Sequence, residues 1–518
     1  MLAEYAWLIP LLPLLAAGWI AVGYLFGWNR GEAGEKETAR VAVGAGALSA
    51  LLAAALGLQA LILGAPGQIT LLRWLESGVY RIDIAFTLDP LGLSLTLMVA
   101  LLAFLTLKFS VNYMHREAGF QRFFLVLSLF MAAMELIVMA GNAALAFIGW
   151  ELAGVSSYLL IAYTIDRPIA TANANRAFVT NRIGDAGFVL GIFLSFQWLG
   201  GIDWPHIASA APQLDTLSAD LIALAFLLAA LAKSAQLPFA PWISRALEGP
   251  TPSSAIFYGA LMVHAGVYLL IRLEPVLLQA PAVMAAIAVL GLLTALYGWL
   301  TGLAQSDVKS SLMFSTTAQV GLMFLWCGLG WMELAAWHLG LHAIWRAYQF
   351  LHAPALMHLV SRPARPAPYW LARSRRLHTA ALQRFWLDPL ADWLLVRPTR
   401  ALSRDVQNFD EQVVSRAIGL PAQASAVSSL AEWEAQKKGY VNVAEGDIAS
   451  GRGILGRILE WLATVLHWFE EHLVLQGGGE GLLEAIQRIG AYATRIEQLL
   501  AQPRYLLLLI MATFVVIL

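Results

Sequence analysis

The sequence predicts an all-α polytopic membrane protein with about eleven transmembrane helices, a broken seventh helix, a cytoplasmic polar and amphipathic helical region, and a C-terminal membrane helix. Hydrophobic residues make up 59% of the 518 residues and charged residues 13%, about half the usual share of charge in a globular protein. Apolar segments of roughly 20 residues, the length that crosses a bilayer, recur along the chain. These observations exclude a soluble globular protein, a disordered chain and a nucleic-acid-binding protein.

Eleven apolar segments precede a long polar region, and one shorter apolar run follows it. The segments lie at about 3–27, 41–64, 89–111, 121–140, 143–165, 174–199, 218–245, 252–273, 279–303, 308–330 and 332–358. We divide the chain into N-terminal membrane helices with an outer loop (1–80), an ion-translocating core (81–360), a polar region (361–504) and a final membrane helix (505–518). Glu4 replaces the basic leader of a signal peptide, so the first segment is expected to be retained.

Lys and Arg are concentrated in the loops on one side of the predicted membrane. That side carries Arg30, Lys36, Arg40, Arg116, Arg122, Arg167, Arg176, Arg245 and Lys309, and then the arginines that follow residue 360. The opposite side has mainly Arg73, Arg81 and Arg272. Since basic loops stay in the cytoplasm, we expect the N-terminus outside and region 361–504 inside.

Two segments outside the spans have recognisable patterns. Alternating apolar residues around the Ser77-Gly78 turn predict a small hairpin over 65–88 on the outer face. Stretches 455–475 and 481–500 are amphipathic. They are equally consistent with helices on the membrane surface or on a neighbouring subunit, and with a small cytoplasmic helical cap.

Glu151 and Lys233 lie inside apolar segments, where a charge costs at least about 2.5 kcal/mol. Burial disfavours the charged form of each group, whereas proximity favours both charged forms. Such a pair could exchange protons, or it could be a static buried ion pair that holds two helices together. Pro238 and Pro241 follow Lys233 closely and predict a broken helix, which is typical of transport sites; a simple packing kink is the alternative.

Further ionisable residues lie in the same segments. Arg182 and Asp185 are three residues apart, on one helix face, and predict a local salt bridge that could modulate Glu151. Glu135 is an extra carboxylate on the ion path or a residue near a helix end. Lys309 lies nearer the cytoplasmic end of its segment and either passes protons inward or extends its amine to the membrane surface.

Three histidines suit proton handling, because histidine titrates near neutral pH. His338 and His342 share a helix face with Arg346, and His264 lies in the eighth segment. Hydrogen-bonded packing is the main alternative. No metal site is expected, because no third ligand accompanies the pair. The sequence has one cysteine, Cys327, no phosphate-binding loop and no nucleophile–base motif, so we expect no catalytic residue and no cofactor in this chain.

Several motifs resemble the antiporter-like subunits of respiratory complex I, subunit L in particular, and the Mrp-type antiporters. They begin at Phe86 (FTLDPLG), Gly149 (GWELAGVSSYLLI), Asn181 (NRIGD), Lys233 (KSAQLPF), Gly249 (GPTPSSA), Gln305 (QSDVK) and Phe314 (FSTTAQVG). The resemblance covers about residues 80–358. It implies that Glu151 and Lys233 are the central proton-transfer pair and that Arg182 and Asp185 modulate it. It also implies that Lys309, His338 and His342 lie on the connecting hydrophilic axis.

The sequence also departs from that family. Arg346 stands where the family has a lysine, Tyr258 stands where it has a histidine, and the chain turns polar after about residue 360, where subunit L has a second broken helix. This divergent branch is similar to the membrane subunit of Dab-type inorganic carbon uptake complexes.

The Dab resemblance implies proton- or cation-driven uptake of CO2 or bicarbonate in a prokaryotic inner membrane. The implied partner is a large, zinc-containing, carbonic-anhydrase-like cytoplasmic subunit, so zinc is expected in the partner only. The alternatives are a pumping subunit of a complex I-like or hydrogenase assembly, and a membrane scaffold whose ion path is inactive.

Overall fold

A computed structural model of the chain describes residues 2–78, 80–359 and 367–410. Its α-helices are α1 Leu8–Phe26, α2 Gly31–Leu63, α3 Pro90–Tyr113, α4 Phe120–Met139, α5 Ala143–Ile161, α6 Pro168–Leu199, α7 Trp204–Ala210, α8 Thr216–Lys233, α9 Pro241–Arg245, α10 Thr251–Ser254, α11 Ala265–Arg272, α12 Glu274–Leu277, α13 Pro281–Leu303, α14 Val308–Gly328, α15 Met332–Leu359, α16 Tyr369–Arg373, α17 Arg375–Leu382, α18 Leu387–Ala391 and α19 Arg397–Phe409. The predictions for 455–475, 481–500 and 505–518 lie outside the described residues.

The predicted polytopic α-helical fold is confirmed. In the described part of the chain, nine helical segments are long and apolar enough to cross a membrane, namely Leu2–Phe26, Gly31–Leu63, Pro90–Tyr113, Phe120–Met139, Ala143–Ile161, Pro168–Leu199, Thr216–Lys233, Thr251–Arg272 and Pro281–Leu303. The remaining two predicted spans form helices α14 and α15 at the expected positions. Those two helices carry more polar residues, including Lys309 and the paired histidines.

Short polar side chains fix where several of these helices begin. Asp89 accepts a hydrogen bond from the Gly92 backbone N–H at 2.7 Å and so caps α3. Asn142 caps α5 in the same way through Leu145 N–H at 2.9 Å. Such caps satisfy N–H groups that have no partner within the helix. Asp89 also forms an ion pair with Arg272 of α11, which ties two helix ends together.

The predicted hairpin is confirmed as two antiparallel strands, β1 Gly67–Ser77 and β2 Tyr80–Leu88. Gly78 lies in the turn at φ +61°, in the left-handed region that favours glycine. Two register shifts interrupt the pairing. The end of β2 lies against the connection between α4 and α5, where Phe86 pairs with Ala140.

The seventh helix is broken as predicted, because α8 ends at Lys233 and α9 begins only at Pro241. Side chains from neighbouring elements satisfy the backbone groups that the break leaves free. Trp242 Nε1 donates to Ala232 O at 2.8 Å, and Thr294 Oγ1 accepts from Leu237 N at 3.1 Å. Irregular backbone at membrane depth is tolerated when it is buried in protein in this way.

The apolar pattern predicts the eighth segment as a plain span, but the structure interrupts it. A π-helical turn, Ala255–Ala260, and a 3₁₀ turn, Met262–His264, separate α10 from α11. Close packing accompanies the interruption, because a Cβ on Gly259 would lie 2.7 Å from a Phe350 ring atom of α15. π-turns inside helices are frequent at functional sites, and this one contains Tyr258 and precedes His264.

The chain divides into two compact units, Met1–Val396 and Arg397–Leu518. The predicted domain boundary at residue 360 therefore falls inside the first unit. In that unit, Arg176 pairs with Asp392 at 2.5 Å and Arg245 with Asp388 at 3.0 Å. Asp388 and Asp392 are thus attached by ion pairs to α6 and α9.

Candidate ion-conducting site

Four charged side chains from three helices form a cluster in the membrane-spanning region, which we call the charged cluster. It consists of Glu151 of α5, Arg182 and Asp185 of α6, and Lys233 at the end of α8. Arg182 forms an ion pair with Glu151 through Nη1 and Oε2, and a second with Asp185 at 2.8 Å. Two acids and two bases make the cluster formally neutral, which offsets the cost of burying each charge.

Lys233 is 1% exposed in its side chain and has three partners. Its Nζ donates to the Trp150 backbone carbonyl at 3.0 Å, lies 3.9 Å from Asp185 Oδ1, and stands 5.0 Å from the centre of the Trp150 ring. The Trp150 Nε1–H in turn donates to Asp185 Oδ1 at 2.8 Å. Asp185 is therefore held by two cations and an indole.

Glu151 has fewer partners than Asp185. Only its Oε2 contacts a cation, and its Oε1 makes no hydrogen bond with any described residue. Among these residues no ion pair joins Glu151 directly to Lys233; the structure pairs Glu151 with Arg182 and Lys233 with Asp185. Glu151 Oε1 is the cluster oxygen best placed to accept a proton.

Gly154 brings the two cations of the cluster together. A Cβ at this position would lie 3.3 Å from both Arg182 Nη2 and Lys233 Nζ. Gly154 lies one helical turn after Glu151, so the absence of a side chain there lets both cations approach the same stretch of α5. Arg182 is the most accessible member, at 32% exposed against 6% for Glu151 and Asp185.

A second group of ionisable residues, which we call the histidine cluster, joins α15 to the interrupted eighth helix. His264 Nε2 and His342 Nδ1 lie 3.0 Å apart, and Arg346 Nε donates to His342 Nε2 at 3.3 Å. Since His342 Nε2 accepts from an arginine, the proton of the neutral ring lies on Nδ1 and is directed at His264. Arg346 is also held by Ser315, whose hydroxyl accepts from Nη2 at 2.9 Å.

His338 belongs to a separate hydrogen-bonded chain. Its Nδ1 accepts from Trp326 Nε1 at 3.2 Å, so its Nε2–H donates to Gln319 Oε1 at 2.9 Å. The rings of His338 and His342 are 6.1 Å apart, and the partner of His342 is His264, 78 positions away in the chain. The i, i+4 spacing places both histidines on one face, as predicted, but it does not make them partners.

The segment at the break of the seventh helix contacts elements of both clusters. Ser234, next to Lys233, accepts a hydrogen bond at 3.1 Å from the backbone of Gly266, two residues after His264. A Cβ on Gly266 would lie 2.5 Å from Ala230 O, so only glycine permits this approach of α11 to α8. The segment just before Pro238 and Pro241 thus contributes Lys233 to the charged cluster and contacts the helix that follows His264 through Ser234.

The other predicted site residues lie outside these clusters. Tyr258 is buried in the π-helical turn with its ring 6.0 Å from that of Trp242. Lys309 is half-buried near the start of α14. Glu135 is fully buried in α4, away from any ion pair among the described residues.

Sequence reasoning missed the neutral partners of these groups. Trp150 and Gln319 lie within the quoted GWELAGV and FSTTAQVG motifs, so their positions were visible but their roles were not. Ser315 lies in the second motif as well. No group of three or more His, Cys, Asp or Glu residues in the described part of the chain could hold a metal ion.

Comparisons with known proteins agree with this architecture. Residues 140–364 match the family model described as NADH:quinone oxidoreductase/Mrp antiporter, transmembrane. Residues 74–124 match the model described as NADH-ubiquinone oxidoreductase (complex I), chain 5 N-terminus. The first match contains every residue of the two clusters, and the second covers part of the hairpin, α3 and the start of α4.

Individual relatives match about two thirds of the chain. NADH-quinone oxidoreductase subunit L of Mycobacterium tuberculosis is 38% identical over 361 residues, which are 68% of this chain and 56% of that protein. NADH-ubiquinone oxidoreductase chain 5 of Rhizopus stolonifer is 39% identical over 61% of this chain and 48% of that protein. The chain thus spans about half the length of these curated relatives.

Two solved structures share the fold. The Mrp complex from a Dietzia species has a chain that matches 97% of this one with a TM-score of 0.60 and 20% identity, covering 62% of that chain. A chain of the archaeal membrane-bound sulfane sulfur reductase matches 69% of this one with a TM-score of 0.57 and 19% identity, covering 57% of that chain.

Proposed function

Since the chain belongs to the antiporter-like membrane subunit family of NADH:quinone oxidoreductase and the Mrp antiporters, we propose that it conducts protons, or alternatively Na⁺, and couples their downhill flow to a partner subunit. The observation that carries this proposal is the charged cluster. Lys233, whose buried amine lies at the end of a broken helix, pairs with Asp185, which shares Arg182 with Glu151. Glu151 Oε1 has no hydrogen-bond partner among the described residues. Intramembrane ionisable groups in such a setting mark ion pathways.

The cluster supports proton exchange because its charges are balanced. Protonation of Glu151 at Oε1 leaves Arg182, Lys233 and Asp185 with a net positive charge. That charge favours loss of the Lys233 proton, since like charges disfavour each other in a low-dielectric region. Arg182 keeps its proton throughout, because guanidinium is not deprotonated in proteins, so it acts as a fixed counter-charge shared by both acids.

The histidine cluster supplies the continuation of this route. His342 Nδ1 and His264 Nε2 are 3.0 Å apart, so the Nδ1 proton of His342 can pass to His264, while Arg346 acts only as a fixed charge beside them. Without a relaying lysine at position 346, we expect a dissipative path in which the transmembrane gradient drives the chemistry of the partner.

For the partner we propose a large, zinc-containing, carbonic-anhydrase-like cytoplasmic protein, with uptake of CO2 or bicarbonate as the coupled process. The support is the divergence from subunit L: Arg346, Tyr258 and a polar region after residue 364, where the family match ends. We propose region 361–504 as its docking surface in a prokaryotic inner membrane, with the N-terminus outside.

Co-purification tests the partner. The tagged full chain, expressed from its native operon, is expected to retain a zinc-containing protein, and deletion of about 421–500 is expected to release it while the membrane helices remain folded. Retention of that protein on the deleted chain contradicts the docking surface. In cells that express both proteins, substrate accumulation that survives full collapse of the proton and sodium gradients contradicts the coupling.

A second candidate is a proton-pumping subunit of a complex I-like or hydrogenase assembly. The 38% identity to NADH-quinone oxidoreductase subunit L favours it. Under this alternative the tagged chain retains further membrane subunits and a quinone-reducing or hydrogenase activity. An unchanged phenotype after removal of Lys233 or Glu151 favours the third alternative, a scaffold with an inactive path.

A further inference from the structure

A buried carboxyl group lies outside both clusters. Glu135 of α4 is 0% exposed, and neither of its side-chain oxygens has a hydrogen-bond partner among the described residues. No cation there forms an ion pair with it either. A buried carboxylate without a partner is costly, whereas the neutral acid avoids most of that cost.

Glu135 faces away from the charged cluster. A Cβ on Gly149 of α5 would lie 2.7 Å from Ala133 O and 2.9 Å from Ile137 N, so this part of α4 packs directly on α5. Glu135 lies midway between those two residues, about 200° around the helix from each, and so on the opposite face. Glu151 is two residues beyond Gly149, about 3 Å along the helix axis. Glu135 and Glu151 thus lie at similar depth on opposite sides of α4.

The face of α4 that carries Glu135 packs towards α2. Gln121, Ser128 and Glu135 recur every seven residues, which places them along one stripe of the helix. Gln121 Nε2 donates to Gly31 O, at the first residue of α2, at 2.8 Å. Further along α4 on the same face, Met131 Sδ lies 3.6 Å from the position that a Cβ on Gly46 of α2 would occupy.

Two more polar residues, Thr38 of α2 and Ser128 of α4, lie at the same height along the two helices. The two helices run in the same direction, and Thr38 and Ser128 each lie seven residues after the contacting pair Gly31 and Gln121. Both hydroxyls are buried, and neither has a hydrogen-bond partner in the described part of the chain. Buried hydroxyls are normally hydrogen-bonded, and ordered water is the usual partner when protein groups are absent.

A titratable pair lies at the basic end of this stripe. Glu35 of α2, three residues before Thr38, accepts from the Arg116 backbone at 3.0 Å, and its Oε2 lies 2.8 Å from His115 Nδ1. The His115 side chain is 53% exposed, so the pair communicates with the basic surface.

Other charged groups on the elements that pack against α4 are accounted for. On α11, whose Tyr268 hydroxyl donates to Val138 O of α4, Arg272 pairs with Asp89. The sequence of α1 has no charged residue, and that of α3 has only the exposed Lys108. The only charged residue of α5 is Glu151, on the far side of α4. Arg81 and Asp83 of β2 pair with each other. On α2 they are Glu32, Glu35, Lys36, Glu37 and Arg40, all within its first ten residues.

The geometry points to a second proton-binding site at Glu135, held as a neutral acid and connected to the basic face by an α2–α4 seam. The seam consists of Gln121, Thr38 and Ser128, with the Glu35–His115 pair at its mouth. A proton that arrives from the basic face bonds to a Glu135 carboxylate oxygen and leaves by the same seam. This site is independent of the exchange between Glu151 and Lys233.

Infrared spectroscopy of the full chain in lipid vesicles tests the site. The wild-type protein is expected to show the carbonyl stretch of a protonated carboxylic acid, which shifts when H2O is replaced by D2O. Glu135→Gln is expected to lose that band, whereas Glu135→Asp and Lys233→Ala retain one. A band unchanged in Glu135→Gln, or lost only in Glu151→Gln, overturns the assignment.

The rate of the D2O shift tests the seam. The double variant Thr38→Val, Ser128→Ala is expected to slow exchange of the Glu135 band about tenfold, since two buried hydrogen-bonding groups are lost. The control is Thr106→Val, because the buried Thr106 hydroxyl of α3 donates to Leu102 O of its own helix at 2.8 Å. Exchange of the double variant at the wild-type rate overturns the seam as the route.

Discussion

The charged cluster, which includes Lys233 at the break of the seventh helix, and the histidine cluster handle charge in opposite ways. The first has two acids and two bases, so its formal charges cancel. A proton can move from one of its groups to another without changing the net charge of the cluster. The second has an arginine and two imidazoles in contact and no carboxylate among its described partners; Arg346 is held by the Ser315 hydroxyl. A positive charge there is uncompensated.

The difference assigns separate tasks to the two clusters. The balanced cluster exchanges protons at constant net charge, because a proton gained at Glu151 is matched by one lost at Lys233. An uncompensated pair of neutral imidazoles passes a proton on, because a second positive charge beside Arg346 is repelled. The following predictions test this division, starting with the largest expected effect.

Lys233→Ala is expected to abolish coupled ion flow while the complex still assembles. The substitution removes the amine that exchanges with Glu151, and alanine is well tolerated in a membrane helix. Ion flux into vesicles and subunit retention on the tagged chain measure the two outcomes. The matched control is Lys108→Ala, because Lys108 is an exposed lysine of α3. Loss of assembly together with flux indicates a structural ion pair.

Gly154→Ala is expected to lower flux about tenfold, because a displacement of well under 1 Å in a positioned group already reduces its efficiency. The added methyl group contacts Arg182 and Lys233 at 3.3 Å and must displace one of them. Gly44→Ala in α2 is the control, since a Cβ there meets no atom within 4 Å. Equal flux in the two variants argues against the cluster geometry.

His342→Gln is expected to lower flux more than His338→Gln. His342 connects His264 to Arg346, whereas His338 donates to Gln319 in a separate chain. Glutamine keeps some hydrogen bonding but cannot carry a proton. Flux measured in parallel for both variants decides the matter, and a larger loss at His338 shows that the route runs through Trp326 and Gln319 instead.

Asp89→Asn is expected to leave flux unchanged and lower only stability, by about 1–3 kcal/mol for the lost charged hydrogen bonds. Asp89 pairs with Arg272 at a helix end, far along α11 from His264, and asparagine preserves the cap of α3. Thermal unfolding in detergent and flux in vesicles separate the two effects. Altered flux with normal stability places this ion pair on the path.

Much of this arrangement follows from local patterns. Apolar segment length predicts the helices, because the bilayer thickness dictates it. Pro238 after Lys233 predicts the break, because proline cannot continue the helical hydrogen bonds. The spacing of Arg182 and Asp185 predicts their contact, because residues three apart share a helix face. Asp89 and Asn142 mark helix starts for an equally local reason.

The partners between helices were decided only by the tertiary structure. Glu151 contacts Arg182, Lys233 contacts Asp185 and the Trp150 carbonyl, and His342 contacts His264 across the interrupted eighth helix. Each of these contacts depends on the depth and rotation of two helices at once. Local periodicity determines which residues share a face of one helix, but the packing of small residues such as Gly154 and Gly266 determines which faces meet, and that packing is a property of the assembled bundle.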